Sequence, residues 1–435
     1  MKSLFDELEL RRNIFKVILL YFIFFFSFLV TLNPFMLLFI FLSSSFIFFT
    51  NSTSTSLAIY FAILPVNNIV SLNYDFQKSY FFLITIALII RLLIFQRINT
   101  TLTIIYLLFV SYIYLVATYF SGLSFSNLLA LLNYSLIIFL VSKYNKADIQ
   151  KIILLGSIGF LLSSWIGVMR YIVENLNAAL RSSSVLIGGT DTLRFSGLAY
   201  DTNYYGVWSI FLVSCLLVLF SKESNRYIKN MYLLLLISIA SLGFLTYSKA
   251  FVLTLLLLII FYIVIELKMN PFKIIGVFMF IFIVAILLKA SLDFSIIEFI
   301  SSRIIGKSNN LTSFTTHRDL LWKEYLNHIF SSFNTFLFGS GIRNQILHTQ
   351  VAHNFYIEIL YLIGFIGTIG FLSLFSVFYL KLKKRISKKI SLFQLSPLLS
   401  FLVVAFSLNF FSVNETVMYL FIAIIFSTIN LKEEL

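Results

Sequence analysis

About fourteen apolar stretches, each close to the length that crosses about 30 Å of hydrocarbon, follow one another along this chain, and they restrict its fold more than any motif does. They centre near Phe24, Ile40, Phe61, Ile86, Leu108, Leu136, Phe160, Val213, Ile237, Leu257, Phe282, Phe371, Val403 and Ile424. Hydrocarbon offers no water to an unpaired amide, so each stretch must be a helix unless the chain closes into a barrel. Barrel strands would alternate over short segments, and these runs are continuous. With 60% of 435 residues apolar and only 11% charged, a soluble fold could not bury the apolar surface. The expected fold class is an all-α integral membrane protein, residues 1–435 forming one polytopic domain. The third stretch is the weakest, because Pro65, Asn67 and Asn68 interrupt it. Its alternative is a re-entrant segment, which would move every later loop to the other side.

Charge orients the bundle, since Lys and Arg concentrate in cytoplasmic loops. Keeping every span puts Arg11/Arg12/Lys16, Lys143/Lys146/Lys151, Lys222/Arg226/Lys229, Lys268/Lys273 and the run from Lys381 to Lys389 on one side. That side is expected to be the cytoplasm, with both termini in it. The net charge of +14 then reports topology and attraction to anionic lipid, and nucleic acid is not an expected partner. No small-residue cleavage site follows the first stretch, so it is expected to remain as an anchor. Cys215, the single cysteine, leaves no intrachain disulfide and no CxxC site.

Two expected external loops are long, about 170–203 and about 291–353, and long ordered loops usually serve function. Each carries three arginines: Arg170, Arg181 and Arg194 in the first, Arg303, Arg318 and Arg343 in the second. Basic residues outside run against the positive-inside bias and need a reason. One is an anion pocket, because a guanidinium fork matches phosphate. The other is ion pairing with Glu174, Asp191, Asp201, Asp293 and Asp319, plus headgroup contact. The set as a whole favours the pocket.

Within the second loop, Leu321, Trp322, Tyr325, Leu326 and Ile329 share one face of a helix over Arg318 to Phe330. It can lie at the outer interface with its Trp at headgroup depth, or cap the bundle. Gly339-Ser340-Gly341 permits a tight turn but is weak evidence of a phosphate cradle. All four histidines, His317, His328, His348 and His353, fall in this loop. Histidine is the side chain best suited to accept a proton near neutral pH, and His353 stands just before a long apolar helix that would hold it in place. No HxxxH or HExxH spacing supports a metal site.

At these positions the chain resembles the bacterial O-antigen polymerase and O-antigen ligase superfamily (Wzy and WaaL types). His353-Asn354, nine intervening residues and Gly364-Phe365-Ile366-Gly367 resemble its H-N-x9-G-x-x-G signature. Arg194-Phe195-Ser196-Gly197 followed by Asp201, Asn203 and Gly206 is similar to its R-x-S-G…D-x-N stretch. Thr316-His317-Arg318 through Trp322 is like the segment that opens its large loop. Order and spacing agree from about 150 to 380, while the first spans match in hydropathy alone. Where the family commonly has Ser-Arg this chain has Ser248-Lys249, which keeps the charge and loses the bidentate fork.

The resemblance implies a GT-C-like membrane glycosyltransferase whose donor is an undecaprenyl-diphosphate-linked oligosaccharide and whose product is a growing polysaccharide. A flippase and a chain-length regulator are implied partners. His353 would act as general base, and Asp201 as an alternative base or an orienter of the arginines. Arg194 and Lys249, helped by Arg318 or Arg343, would stabilise the diphosphate leaving group, with Arg181 and Asn354 as further substrate contacts. The scheme requires no nucleotide, metal or other cofactor, and single displacement implies inversion. An O-antigen ligase-type transfer of finished polymer to another acceptor is the nearer alternative. A lipid-linked oligosaccharide flippase is a more distant one, since no internal repeat is visible and Arg91 and Lys289 can snorkel from span ends.

Overall fold

Short polar side chains at the heads of apolar runs start the helices. A computed structural model describes residues 7–29, 34–66, 78–120, 122, 131–141, 144–169, 184–187, 190–193, 195–197, 201–246, 248–266, 318–342, 347, 350–384, 391–411, 414–429 and 431. In it Ser52 accepts from the Thr55 amide, Asp201 from Asn203, Asn225 from Tyr227 and Ile228, and Asn354 from Tyr356 and Ile357. Each cap satisfies amides that a helix start leaves open.

The helices are α1 (Glu7–Leu29), α2 (Pro34–Phe49), α3 (Thr53–Ile63), α4 (Lys78–Phe95), α5 (Thr100–Phe120), α6 (Lys146–Met169) and α7 (Thr202–Lys222). There follow α8 (Arg226–Phe244), α9 (Lys249–Phe261, continued by a π turn to Glu266), α10 (Arg318–Ile329), α11 (Phe333–Phe338), α12 (Phe355–Lys383), α13 (Ser396–Val404) and α14 (Asn414–Ser427). A hairpin the sequence reading did not anticipate, β1 (Ser184–Ile187) with β2 (Thr190–Leu193), lies within 170–203, and Ser184 faces Leu193 across it.

The molecule is a helical membrane protein. By length and composition α5, α6, α7, α8, α9 with its π turn, and α12 can each cross a bilayer, and shorter apolar helices in α2, α3, α4, α13 and α14 accompany them. The expected span around Phe282 lies outside the described residues. Large apolar side chains such as Leu107, Leu108 and Leu115 of α5 point outward, as lipid contact requires. The expected weak third span is α3, 11 residues long. At about 1.5 Å per residue it does not reach across about 30 Å of hydrocarbon by itself; a 3₁₀ turn carries it on to Val66, and residues 67–77, which decide whether the segment crosses or re-enters, lie outside the described residues. Its Leu57 to Ile63 are buried on every side. Gly159 of α6 lets the Ala62 backbone come so near that any Cβ there would collide with it, and the Tyr21 hydroxyl lies 2.9 Å from the Ala62 carbonyl and 2.8 Å from that of Gly159.

At the centre is α7, whose Tyr205 and Trp208 are fully buried. Trp208 stacks on Tyr419 of α14, and Tyr419 also meets Phe61 and Phe211 edge-on.

Helix ends sort into two faces. On one, Lys151 Nζ meets Glu9 Oε1 at 2.6 Å, Lys16 Nζ meets Asn51 Oδ1 at 2.6 Å, and Gln150 donates to Glu223 at 3.2 Å. Lys222 pairs with Glu266, Arg91 donates to the Phe48 and Asn51 carbonyls, and Lys381 donates to Thr101. Members of four of the expected inner clusters thus stand at ends that touch one another. The other face carries the loops that lead into α7, α9 and α12.

Candidate functional site on the loop-bearing face

The site begins at the head of α7. Phe195 donates its amide to the Leu245 carbonyl at 3.0 Å, which ties the R-x-S-G stretch to the turn between α8 and α9. Gly167 of α6 packs backbone to backbone on Gly197. Asp201 follows as the α7 cap, its Oδ1 2.6 Å from the Asn203 amide. Five residues after Asp201, Gly206 lets Ser248 approach: a Cβ there would stand 3.3 Å from that of Ser248. Since α9 starts at Lys249, the expected diphosphate-binding lysine enters the bundle within about two turns of Asp201 along α7.

His353 arrives from the head of α12. It is the one described non-glycine residue with a left-handed backbone, φ 49°. Neighbours on both sides hold it so: the Ala352 carbonyl accepts from Trp322 Nε1 at 2.9 Å, and the Asn354 amide donates to Asn409 Oδ1 at 3.3 Å. A strained residue clamped from two sides is a common feature of functional sites. Its Nδ1 is buried and finds no hydrogen-bond partner among the described residues.

Arg318 opens α10 and donates from Nη1 to the Ser407 carbonyl at 2.8 Å. It also feels Asp201 and His353 electrostatically. Burial, then the Arg318 charge, lower the proton affinity of His353 below the ordinary histidine value, and Asp201 partly opposes them. Burial likewise lowers that of Arg318, again opposed by Asp201. A carboxylate, a guanidinium and an imidazole from three distant segments are therefore near enough to influence one another, and the 407–409 turn that accepts from Arg318, Asn354 and Tyr204 gathers those segments. Such a group can hold an anion beside a proton acceptor.

Most of the expected α10 face is turned onto the protein, with Leu321 and Trp322 half-buried, while Leu326 is exposed. Tyr325 and Ile329 are buried, the Tyr325 hydroxyl donates to the Gln350 carbonyl at 2.7 Å, and its ring meets Tyr361 of α12 edge-on. Trp322 gives its N–H to Ala352, so the capping role is the one its contacts support. Gly339-Ser340-Gly341 makes a tight turn that serves α12. The long helix breaks at Gly364, φ 64°, where only a residue without Cβ fits against the Leu337 carbonyl. The carbonyls of Tyr361 and Leu362 then accept from the Ser340 and Gly341 amides at 2.7 and 3.1 Å. Those amides are committed to protein and are no phosphate cradle.

Of the expected site residues, Asp201, Arg318 and His353 converge. Lys249 stands on the adjoining helix. Asn354 is buried with its Oδ1 used in capping α12. Arg194, Arg181 and Arg343 lie outside the described residues, as do Arg170, Arg303, His317 and His348. His328 contacts Ser340 Oγ at 3.0 Å, a structural bond. Among the described residues no three His, Cys, Asp or Glu side chains converge.

The turn between α13 and α14 forms a wall that sequence reasoning missed. Ser407 holds Arg318, Asn409 holds both Asn354 and the Tyr204 hydroxyl, and Glu358 accepts from the Phe410 and Phe411 amides at 2.9 and 3.4 Å. A lone acid in the first turn of an otherwise apolar helix was the available signal, because a carboxylate is seldom fully buried unless it is paired.

A scan against family models finds no match to this chain, and no curated protein matches it significantly.

Proposed function

We propose that the chain is a membrane glycosyltransferase that joins undecaprenyl-diphosphate-linked oligosaccharide repeat units on the outer face of the cytoplasmic membrane. The observation that carries this reading is that the 407–409 turn accepts hydrogen bonds from Arg318, from Asn354 beside His353 and from Tyr204 near Asp201, so that one residue from each of the three motif segments feels the charge of the others. The second support is charge: the opposite face holds the basic clusters, as a cytoplasmic face does. That orientation sets both termini inside, and a fourteen-span path is the one that keeps the loops 170–203 and 291–353 outside.

In the reaction an acceptor hydroxyl attacks the anomeric carbon of the donor, and its proton passes to the neutral imidazole of His353. A new glycosidic bond forms as the bond to the diphosphate breaks. The leaving lipid diphosphate gains negative charge, which Arg318 meets directly, with Lys249, Arg194 and Arg343 as further cations. Asp201 keeps Arg318 charged and oriented. Attack opposite the leaving group inverts the anomeric centre.

Two measurements test the reading. Purified protein in vesicles, given the lipid-linked oligosaccharide alone, should make a ladder of polymer lengths and release undecaprenyl diphosphate. Transfer only to a separately added acceptor, with no ladder, would replace polymerisation by ligation. Cysteines introduced at Ser183 and Ser308 in a Cys215→Ser background should react with an impermeant maleimide in intact cells, and labelling only after lysis would overturn the orientation.

A further inference from the structure

A cavity of about 650 Å³ lies between α1 and α2 and is lined by none of the residues of this site, within the roughly 300–1,000 Å³ usual for small-molecule sites. Phe15 and Phe22 wall it on α1, Phe39 and Phe46 on α2. These rings are exposed, Phe46 by 71% and Phe22 by 64%, so the cavity is a groove open along its length. From Arg12 to Ile23 it extends roughly 16 Å at about 1.5 Å per residue. That is about half of a hydrocarbon core of about 30 Å, the depth of one leaflet.

Charge is confined to one end. There Arg12 is exposed, and Lys16 is held at the mouth by Asn51 Oδ1 at 2.6 Å and Asn13 Oδ1 at 3.5 Å. The groove therefore complements a molecule with an anionic head and hydrocarbon one leaflet deep. We propose that it is a binding site for an anionic phospholipid, the phosphate lying at Arg12 and Lys16 and an acyl chain between the α1 and α2 rings. Two cations against one phosphate favour an anionic headgroup over a zwitterionic one, whose own ammonium would meet Arg12. The orientation proposed above makes this a lipid of the cytoplasmic leaflet; binding itself does not depend on that orientation.

Native mass spectrometry of the purified full chain, titrated with phosphatidylglycerol or phosphatidylcholine of the same acyl chains, tests the site. A basic residue near the interface should favour the anionic lipid by about fivefold. Arg12→Glu, an exposed position, should bring phosphatidylglycerol adducts down to the phosphatidylcholine level. Ser43→Trp, which fills the groove and leaves both cations, should lower adduct number, and Lys229→Glu on α8 should change nothing. Equal binding of the two lipids by the parent protein, or an undiminished preference in Arg12→Glu, would overturn the proposal whether or not Ser43→Trp folds.

Discussion

The two faces of this bundle treat charge in opposite ways. On the basic face several cations are matched, Lys151 with Glu9, Lys222 with Glu266 and Lys16 with Asn51, while Arg12 stays exposed and Arg91 donates to two carbonyls and keeps one buried nitrogen without a described partner. On the loop-bearing face Arg318 and Asp201 interact at a distance, among the described residues without a direct ion pair, and the buried Nδ1 of His353 finds no described partner. Matched charge fixes helix ends and sets topology. Charge with unused capacity, held in place by backbone contacts, is what a site for an anionic substrate needs.

Substitutions on the two faces should therefore differ in kind. The largest effect is expected at His353, because general-base assistance typically contributes about 10² to 10⁴ in rate. His353→Ala should strip most long polymer from cells at unchanged protein level, as polymer length on gels would show. Arg318→Ala should slow turnover by about 10² to 10³, the usual loss when one donor to a developing anion is removed. Arg318→Lys should recover part of that, since it keeps charge and loses the fork.

Glu358 probes the wall behind the site. Glu358→Ala leaves the Phe410 and Phe411 amides buried without an acceptor, a loss of about 1–3 kcal/mol for such groups. It should lower the thermal midpoint and turnover together, and Glu358→Gln should restore much of both. Smallest of all should be Lys151→Ala on the basic face. Its ion pair with a partly exposed Glu9 is worth at most about 1 kcal/mol. Polymer yield should not change, and a loss comparable to that of Arg318→Ala would erase the distinction between the faces.

Much of this was legible in the residues themselves. Hydrocarbon leaves a backbone few choices, so apolar runs headed by Ser, Asp or Asn read directly as capped helices. The convergence of Asp201, Arg318 and His353 was legible only as motif spacing; nothing local in the sequence brings them together, and packing of α7, α10 and α12 does. The break at Gly364 was hidden because the run around it is apolar throughout, and the break depends on the turn at Gly339 coming from elsewhere to meet it. The wall at 405–411 was largely hidden because, apart from the Asn409 side chain, backbone carbonyls and amides do its work, and those carry no residue signature. Glu358 alone advertised it.

The central claim is that His353 works as a neutral base on the acceptor while other residues hold the donor. Donor affinity and single-turnover rate of the purified protein, followed from about pH 5 to 8 for the parent and for His353→Ala, test it most directly. Burial and Arg318 depress the proton affinity of His353, so the imidazole is neutral at pH 7 and protonates only in acid. The parent rate should fall as the pH drops through a value below the ordinary 6.5 and stay level above it. His353→Ala should bind the lipid-linked repeat unit nearly as well as the parent, turn over far more slowly, and lack that acid limb. Weakened donor binding with a normal rate at saturation, or an acid limb that survives the substitution, would contradict the account.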